Sequence, residues 1–149
     1  MMEISTKGRY SLRILILMAS QPQGYMFAKY EIAEAEGISC AYVQQLMTTL
    51  RTAEFVNSHR GKLGGFTLAR TADTITVADV LGATEGPMTI APCMGSEGCE
   101  REPGCAARPV WSRATTLLKE LFCGVTIAQL AEAGVNGNPW ATSRTESIV

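Results

Sequence analysis

Three cysteines recur at equal intervals in one turn-rich run, APCMGSEGCEREPGC, as Cys93, Cys99 and Cys105. Five residues separate each from the next. Pro92, Gly95, Gly98, Pro103 and Gly104 interrupt helix and strand, so residues 86–107 are expected to form a loop. Such a loop can wrap three thiolates around one metal centre. Thiolates are soft ligands that suit iron–sulfur clusters and zinc. Structural zinc sites prefer ligand pairs two to four residues apart, which this run lacks, so the spacing leans towards iron–sulfur. Glycines beside the cysteines let backbone N–H groups point at sulfur. The bland alternative is three reduced, unligated thiols in a mobile loop.

Two cysteines lie outside the loop. Cys123 follows Leu121 and Phe122 on a helical stripe and is expected as a small buried hydrophobe. Cys40 opens another helix and is expected to pack, with an oxidisable thiol as the alternative. Five cysteines is an odd number, and no secretion signal accompanies them. A reducing, cytoplasmic setting therefore fits better than a disulfide scaffold. The apolar stretch near the N-terminus is short and interrupted by charge, so it reads as a core helix. No later stretch is long enough to span a bilayer, so no membrane is expected.

The elements before the loop point to a DNA-binding unit. Tyr10, Ile14, Leu17 and Met18 follow helical spacing and predict a helix over 8–20. A second helix is predicted over 28–36, ended by Gly37 in the left-handed conformation. Ser39 is a plausible N-cap for a third over 40–53, with Val43, Leu46, Met47 and Leu50 inward. Helix, short glycine-containing turn, helix is the helix-turn-helix signature. Two short strands, 55–58 and 66–69, flank a glycine-rich tip and form a wing. A short helix over 74–84 follows.

The second helix of such a motif offers its N-terminal residues to base edges in the major groove. Here those are Ser39, Ala41, Tyr42, Gln44 and Gln45. Gln can bond adenine through N6 and N7, and Ser39 and Tyr42 can reach phosphates or bases. Arg51, Arg60 and Lys62 can neutralise phosphates, and the glycines of the tip let its backbone approach a groove. The competing reading is that Tyr42, Gln44 and Gln45 are ordinary solvated helix residues. His59 is read as a phosphate neighbour or surface residue, because the chain holds no second histidine to complete a metal site.

Beyond the loop, Arg108–Cys123 reads as a long helix. Val110, Ala114, Leu117 and Leu121 make an apolar stripe that Trp111, Leu118 and Phe122 widen. A second copy of the chain is the economical partner for that face, and packing against its own domain is the alternative. A last helix is predicted over 126–133. The chain thus divides into a winged helix-turn-helix (1–85), a cluster-binding loop (86–107), dimerisation and terminal helices (108–133) and a flexible tail (134–149). The fold class is mainly α.

At 149 residues, with 46% hydrophobic and 18% charged side chains, the chain can bury a core without disulfides. The net charge of −1 hides an asymmetry. Residues 1–70 carry eight Lys and Arg against five Glu, whereas the remainder carries five cations against nine acids. A basic half joined to an acidic half suits a polyanion binder with a separate regulatory part.

STKGRYSLR at 5–13, GISCAYVQQLMTTLR at 37–51, ITVADV at 75–80, RGKLGGFTLAR at 60–70, Trp111 and the three-cysteine loop together resemble the Rrf2 family of bacterial transcription regulators. The resemblance covers roughly residues 1–133. It implies a winged helix-turn-helix homodimer that binds inverted-repeat operators. It implies that Cys93, Cys99 and Cys105 hold a 2Fe–2S or 4Fe–4S cluster near the dimer interface. It also implies that Ser39, Tyr42, Gln44, Gln45 and Arg60, with Gly61, Gly64 and Gly65, lie at the DNA interface. Three departures stand out. IscR-like members carry a histidine ligand three residues after the third cysteine. Arg108 occupies that place and stays protonated, so it cannot coordinate iron. NsrR-like members can use an aspartate where this chain has Arg9. The fourth ligand is left to Glu3, Glu97, Glu100, Glu102, a partner-chain group or a small molecule. IscR-like members also have an acid at the place of Gln44.

The function expected is cluster-dependent transcriptional regulation responding to iron or sulfur supply, redox state or nitric oxide. An iron–sulfur carrier or electron-transfer protein would explain the cysteines but leave the helix-turn-helix idle. A zinc-stabilised regulator is a further alternative. An enzyme is not expected, since no nucleophile–base pair or CxxC is present.

Overall fold

The computed structural model describes residues 3–95 and 98–136. It is a mainly helical winged helix-turn-helix carrying a small antiparallel sheet. Helix α1 (Thr6–Ala19) is capped by Ser5, whose Oγ accepts from the Gly8 N–H at 3.1 Å. Its inward face is Ser11, Ile14, Leu15 and Met18, the stripe that 3.6-residue periodicity requires. Helix α2 (Lys29–Glu36) begins where the Glu31 carboxylate accepts from the Ala28 N–H at 2.6 Å. It ends at Gly37, whose φ of 65° is the left-handed cap expected there.

Helix α3 (Cys40–Thr52) starts at Ser39, whose Oγ accepts from the Tyr42 N–H at 3.1 Å. Val43, Leu46, Met47 and Leu50 are buried as expected. They meet Ile14, Leu15 and Ile32 in the main core. Each such aliphatic side chain contributes about 1.5–3 kcal/mol by leaving water.

The wing strands are β1 (Val56–His59) and β2 (Gly65–Leu68), with Val56 opposite Leu68 and His59 opposite Gly65. Both are displaced by one residue from the spans 55–58 and 66–69. Phe55 belongs to the helix exit: its N–H donates to the Leu50 carbonyl at 2.9 Å after a left-handed Glu54 (φ 59°). A further bridge was not foreseen. Phe27 and Phe66 exchange backbone hydrogen bonds of 2.9 and 2.8 Å, so the segment entering α2 lines the wing's outer edge.

Helix α4 (Val77–Glu85) starts later than the expected 74. A 3-10 turn occupies Ala72–Thr74, and the backbone of 75–77 pairs with 125–127 through Ile127 N–H to Ile75 O and Val77 N–H to Val125 O, both 2.9 Å. Thr76 and Asp79 then form a capping box. Helix α5 (Arg108–Cys123) spans the expected residues. Helix α6 (Ile127–Asn136) runs past 133 into the segment expected as a tail; residues 137–149 lie outside the described residues. Helix α1 packs against α2, α3, α4 and α6, while α5 packs against α4. Among the described residues no helix is long and apolar enough to cross a membrane.

Candidate nucleic-acid interface and cysteine loop

The N-terminal half of α3 exposes Gln44 and Gln45 to solvent. Ser39 is exposed; its oxygen is engaged as the helix cap, which leaves the hydroxyl hydrogen for an acceptor outside the fold. Tyr42 is half-buried. Its ring meets Tyr10 of α1 edge-on, with centroids 6.0 Å apart. Arg13 covers the Tyr10 ring at 5.2 Å and pairs with Glu36 of α2 at 2.6 Å. This chain of contacts ties the two helix-turn-helix elements to α1 and holds Tyr42 in place.

Arg51 is exposed in the last turn of α3, six residues past Gln45 and so about 9 Å further along the axis at 1.5 Å per residue. Arg60 and Lys62 are exposed on the wing. Among the described residues the ion pairs are Arg13–Glu36 and Arg108–Glu102, which leaves Arg51, Arg60 and Lys62 without an acidic partner. The wing glycines have steric reasons. Gly61 adopts φ 111°, and a Cβ on Gly64 would collide with the His59 carbonyl oxygen. His59 Nε2 lies 2.9 Å from Thr67 Oγ1, so this histidine laces the two strands.

The cysteine loop leaves α4 at Gly86 and re-enters helix at Arg108. Cys93 sits in a 3-10 turn (Pro92–Met94) and is half-buried, Cys99 is exposed, and Cys105 is half-buried after a second turn (Glu102–Gly104). None is sequestered in the core; thiols have the chemistry of iron–sulfur ligands, and three of them in one loop are one short of the four that such a centre commonly takes. Their arrangement is open: among the described residues no three His, Cys, Asp or Glu side chains are gathered closely enough to hold a metal ion. Glu97, one of the candidate fourth ligands, lies outside the described residues. Glu100 and Glu102 are exposed on the loop, and Glu3 lines a separate cavity of about 240 Å³ with Leu81, Met88 and Phe122.

Arg108 has a role that its sequence position alone did not reveal. Its Nη2 pairs with the Glu102 carboxylate at 2.8 Å, and its Nη1 donates to the Cys93 carbonyl at 3.4 Å. The guanidinium therefore clasps both arms of the loop onto the start of α5. Two expectations fail. Cys40 is exposed at the first position of α3, because the inward stripe begins at Val43. Cys123 is exposed too, beside Ala78, Gly82, Met88 and Lys119, because its neighbour Phe122 is the side chain that packs against Val77, Leu81 and Val125.

The family model for Rrf2, described as an iron-dependent transcriptional regulator, matches residues 4–133. The chain belongs to the Rrf2 family. CymR of Bacillus subtilis (strain 168) is 36% identical over 130 residues, covering 87% of this chain and 90% of that protein. IscR of Sodalis glossinidius (strain morsitans) is 33% identical over 129 residues, covering 87% and 78%. Among solved structures, that of CymR, the global cysteine regulator of B. subtilis, superposes with a TM-score of 0.74 at 34% identity, covering 89% of this chain and 98% of that one. That of T. potens IscR superposes with 0.71 at 27% identity, covering 89% and 88%. As an Rrf2 protein the chain is a DNA-binding transcriptional regulator and not an enzyme.

Proposed function

We propose that this regulator is controlled by an iron–sulfur cluster held by Cys93, Cys99 and Cys105, and that it acts in the cytoplasm as a homodimer on an inverted-repeat operator. Residues 1–85 bind DNA, the loop 86–107 carries the cluster, and 108–133 dimerise and close the fold. The observation that carries this reading is the placement of three solvent-reachable thiols on one loop between α4 and α5. That loop joins the helix packed on α1 to the helix with the exposed apolar face. A change in the loop thus has a route to the spacing of two recognition helices, which must match successive major grooves about 34 Å apart.

Ser39, Tyr42, Gln44 and Gln45 meet the major groove. Arg51, Arg60 and Lys62 meet phosphates, and Gly61, Gly64 and Gly65 allow the wing's close approach. The cluster supplies a redox-sensitive and labile negative centre. The residues of this chain supply three sulfur ligands, and Arg108 offers a cation rather than a fourth ligand.

A second reading is favoured by the open cysteines and the Arg108 clasp: a regulator that uses the loop without a cluster, as either a thiol-responsive or a zinc-stabilised protein. Anaerobic purification, followed by iron, sulfide and zinc analysis, visible absorption and operator titration, separates them. Iron and sulfide in near-equal amounts, with operator affinity altered when all three cysteines become serine, support the cluster. Colourless protein lacking iron, with full operator affinity, overturns it.

A further inference from the structure

The wing ends in a leucine. Leu63 is 90% exposed, ahead of Tyr30 at 65% among the large apolar side chains left in solvent. A single exposed leucine is unremarkable; the support built beneath this one is not. The Gly64 N–H donates to the Gly61 carbonyl at 3.0 Å and closes a four-residue turn with Lys62 and Leu63 at its corners. Leu63 does not itself adopt a positive φ, so it is displayed without strain. Below it, His59 and Thr67 lace the strands, and a Cβ on Gly65 would collide with the Phe27 carbonyl oxygen. The tip is thus braced from both sides. Its neighbours Arg60 and Lys62 are exposed and have no acidic partner among the described residues.

We propose that Leu63 is an apolar probe of the DNA minor groove and sets part of the operator preference. This rests on the chain's DNA binding. An apolar protein partner would have to desolvate the cations at Arg60 and Lys62, whereas the minor groove places sugar and base edges between two rows of phosphates. At about 6 Å wide it admits the corner of a turn but not a helix. An apolar side chain there presses into a base step, most readily a flexible pyrimidine–purine step. Being uncharged, Leu63 does this without releasing counterions.

The test uses the full chain and a duplex selected by it from a random pool, titrated at several salt concentrations with the wild type, L63A, L63M and K62A. L63A is expected to bind about ten-fold more weakly with an unchanged salt slope, and L63M to restore affinity. K62A is expected to reduce the slope by about one. Replacing the flexible step under the wing should weaken the wild type and leave L63A nearly unaffected. Thermal midpoints of L63A and wild type should coincide, since Leu63 supports nothing in the fold. Wild-type affinity in L63A, a loss that L63M does not restore, a loss indifferent to the base step, or a lowered midpoint each overturns the inference while DNA binding stands. A wild type that selects no duplex overturns DNA binding and this inference together.

Discussion

Gln45 and Arg60 are both exposed and polar, and the proposed interface gives them different tasks. A glutamine on the N-terminal half of α3 can form two hydrogen bonds with one adenine, and a wrong base then costs about 1–3 kcal/mol. Gln45→Ala should therefore lose affinity chiefly at one operator position, as read by titration against single-base variants. Arg60→Ala should weaken every sequence alike and lower the salt slope by about one. Equal, sequence-independent losses for both variants would reverse the assignment. Arg108 invites a different measurement. Its contacts to Glu102 and the Cys93 carbonyl restrain the loop, so Arg108→Ala should speed hydrogen exchange at residues 93–105 without altering exchange in α3. Arg108→Lys should restore this only in part, because one ammonium cannot reproduce the forked contact.

The elements hold their positions through caps and a continuous apolar stripe. Ser39 satisfies the Tyr42 N–H, and Ser39→Ala should cost about 1 kcal/mol of stability, seen as a lower urea midpoint. In the proposed interface Ser39 also meets the groove, so the operator affinity of Ser39→Ala should fall further than the stability loss explains. Leu46, which is 1% exposed between α3 and the core, should cost about 2–5 kcal/mol when cut to alanine. Unlike Ser39→Ala, any surviving folded fraction of that variant should bind DNA normally.

Among the described residues, one helix face is left without a partner. Val110, Trp111, Leu117 and Leu121 of α5 are 59, 40, 49 and 49% exposed, and Thr115 is the buried residue of that helix. In the proposed homodimer a second copy covers this face. Leu117→Glu combined with Leu121→Glu should yield monomers by sedimentation and abolish tight operator binding, because one half-site holds only one recognition helix. The helix-turn-helix should remain folded, since neither leucine belongs to its core. A dimer that survives both substitutions would place the interface elsewhere.

Local chemistry carried much of this protein into view. Ser39, Gly37 and the stripe Val43, Leu46, Met47, Leu50 specify α3 through capping, a left-handed turn and helical period, all legible within a few residues. The regular cysteine spacing marked the loop for the same reason, and the charge surplus marked the basic half. What the sequence could not express were pairings between distant segments. The bridge of Phe27 to Phe66 and the pairing of 75–77 with 125–127 moved strand and helix starts, because backbone hydrogen bonds carry no side-chain signature. The exposure of Cys40 and Cys123, the reach of Arg108 to Cys93 and Glu102, and the display of Leu63 were likewise decided only in three dimensions. Periodicity tells which residues share a face of one element; what that face meets depends on how elements far apart in the chain pack together.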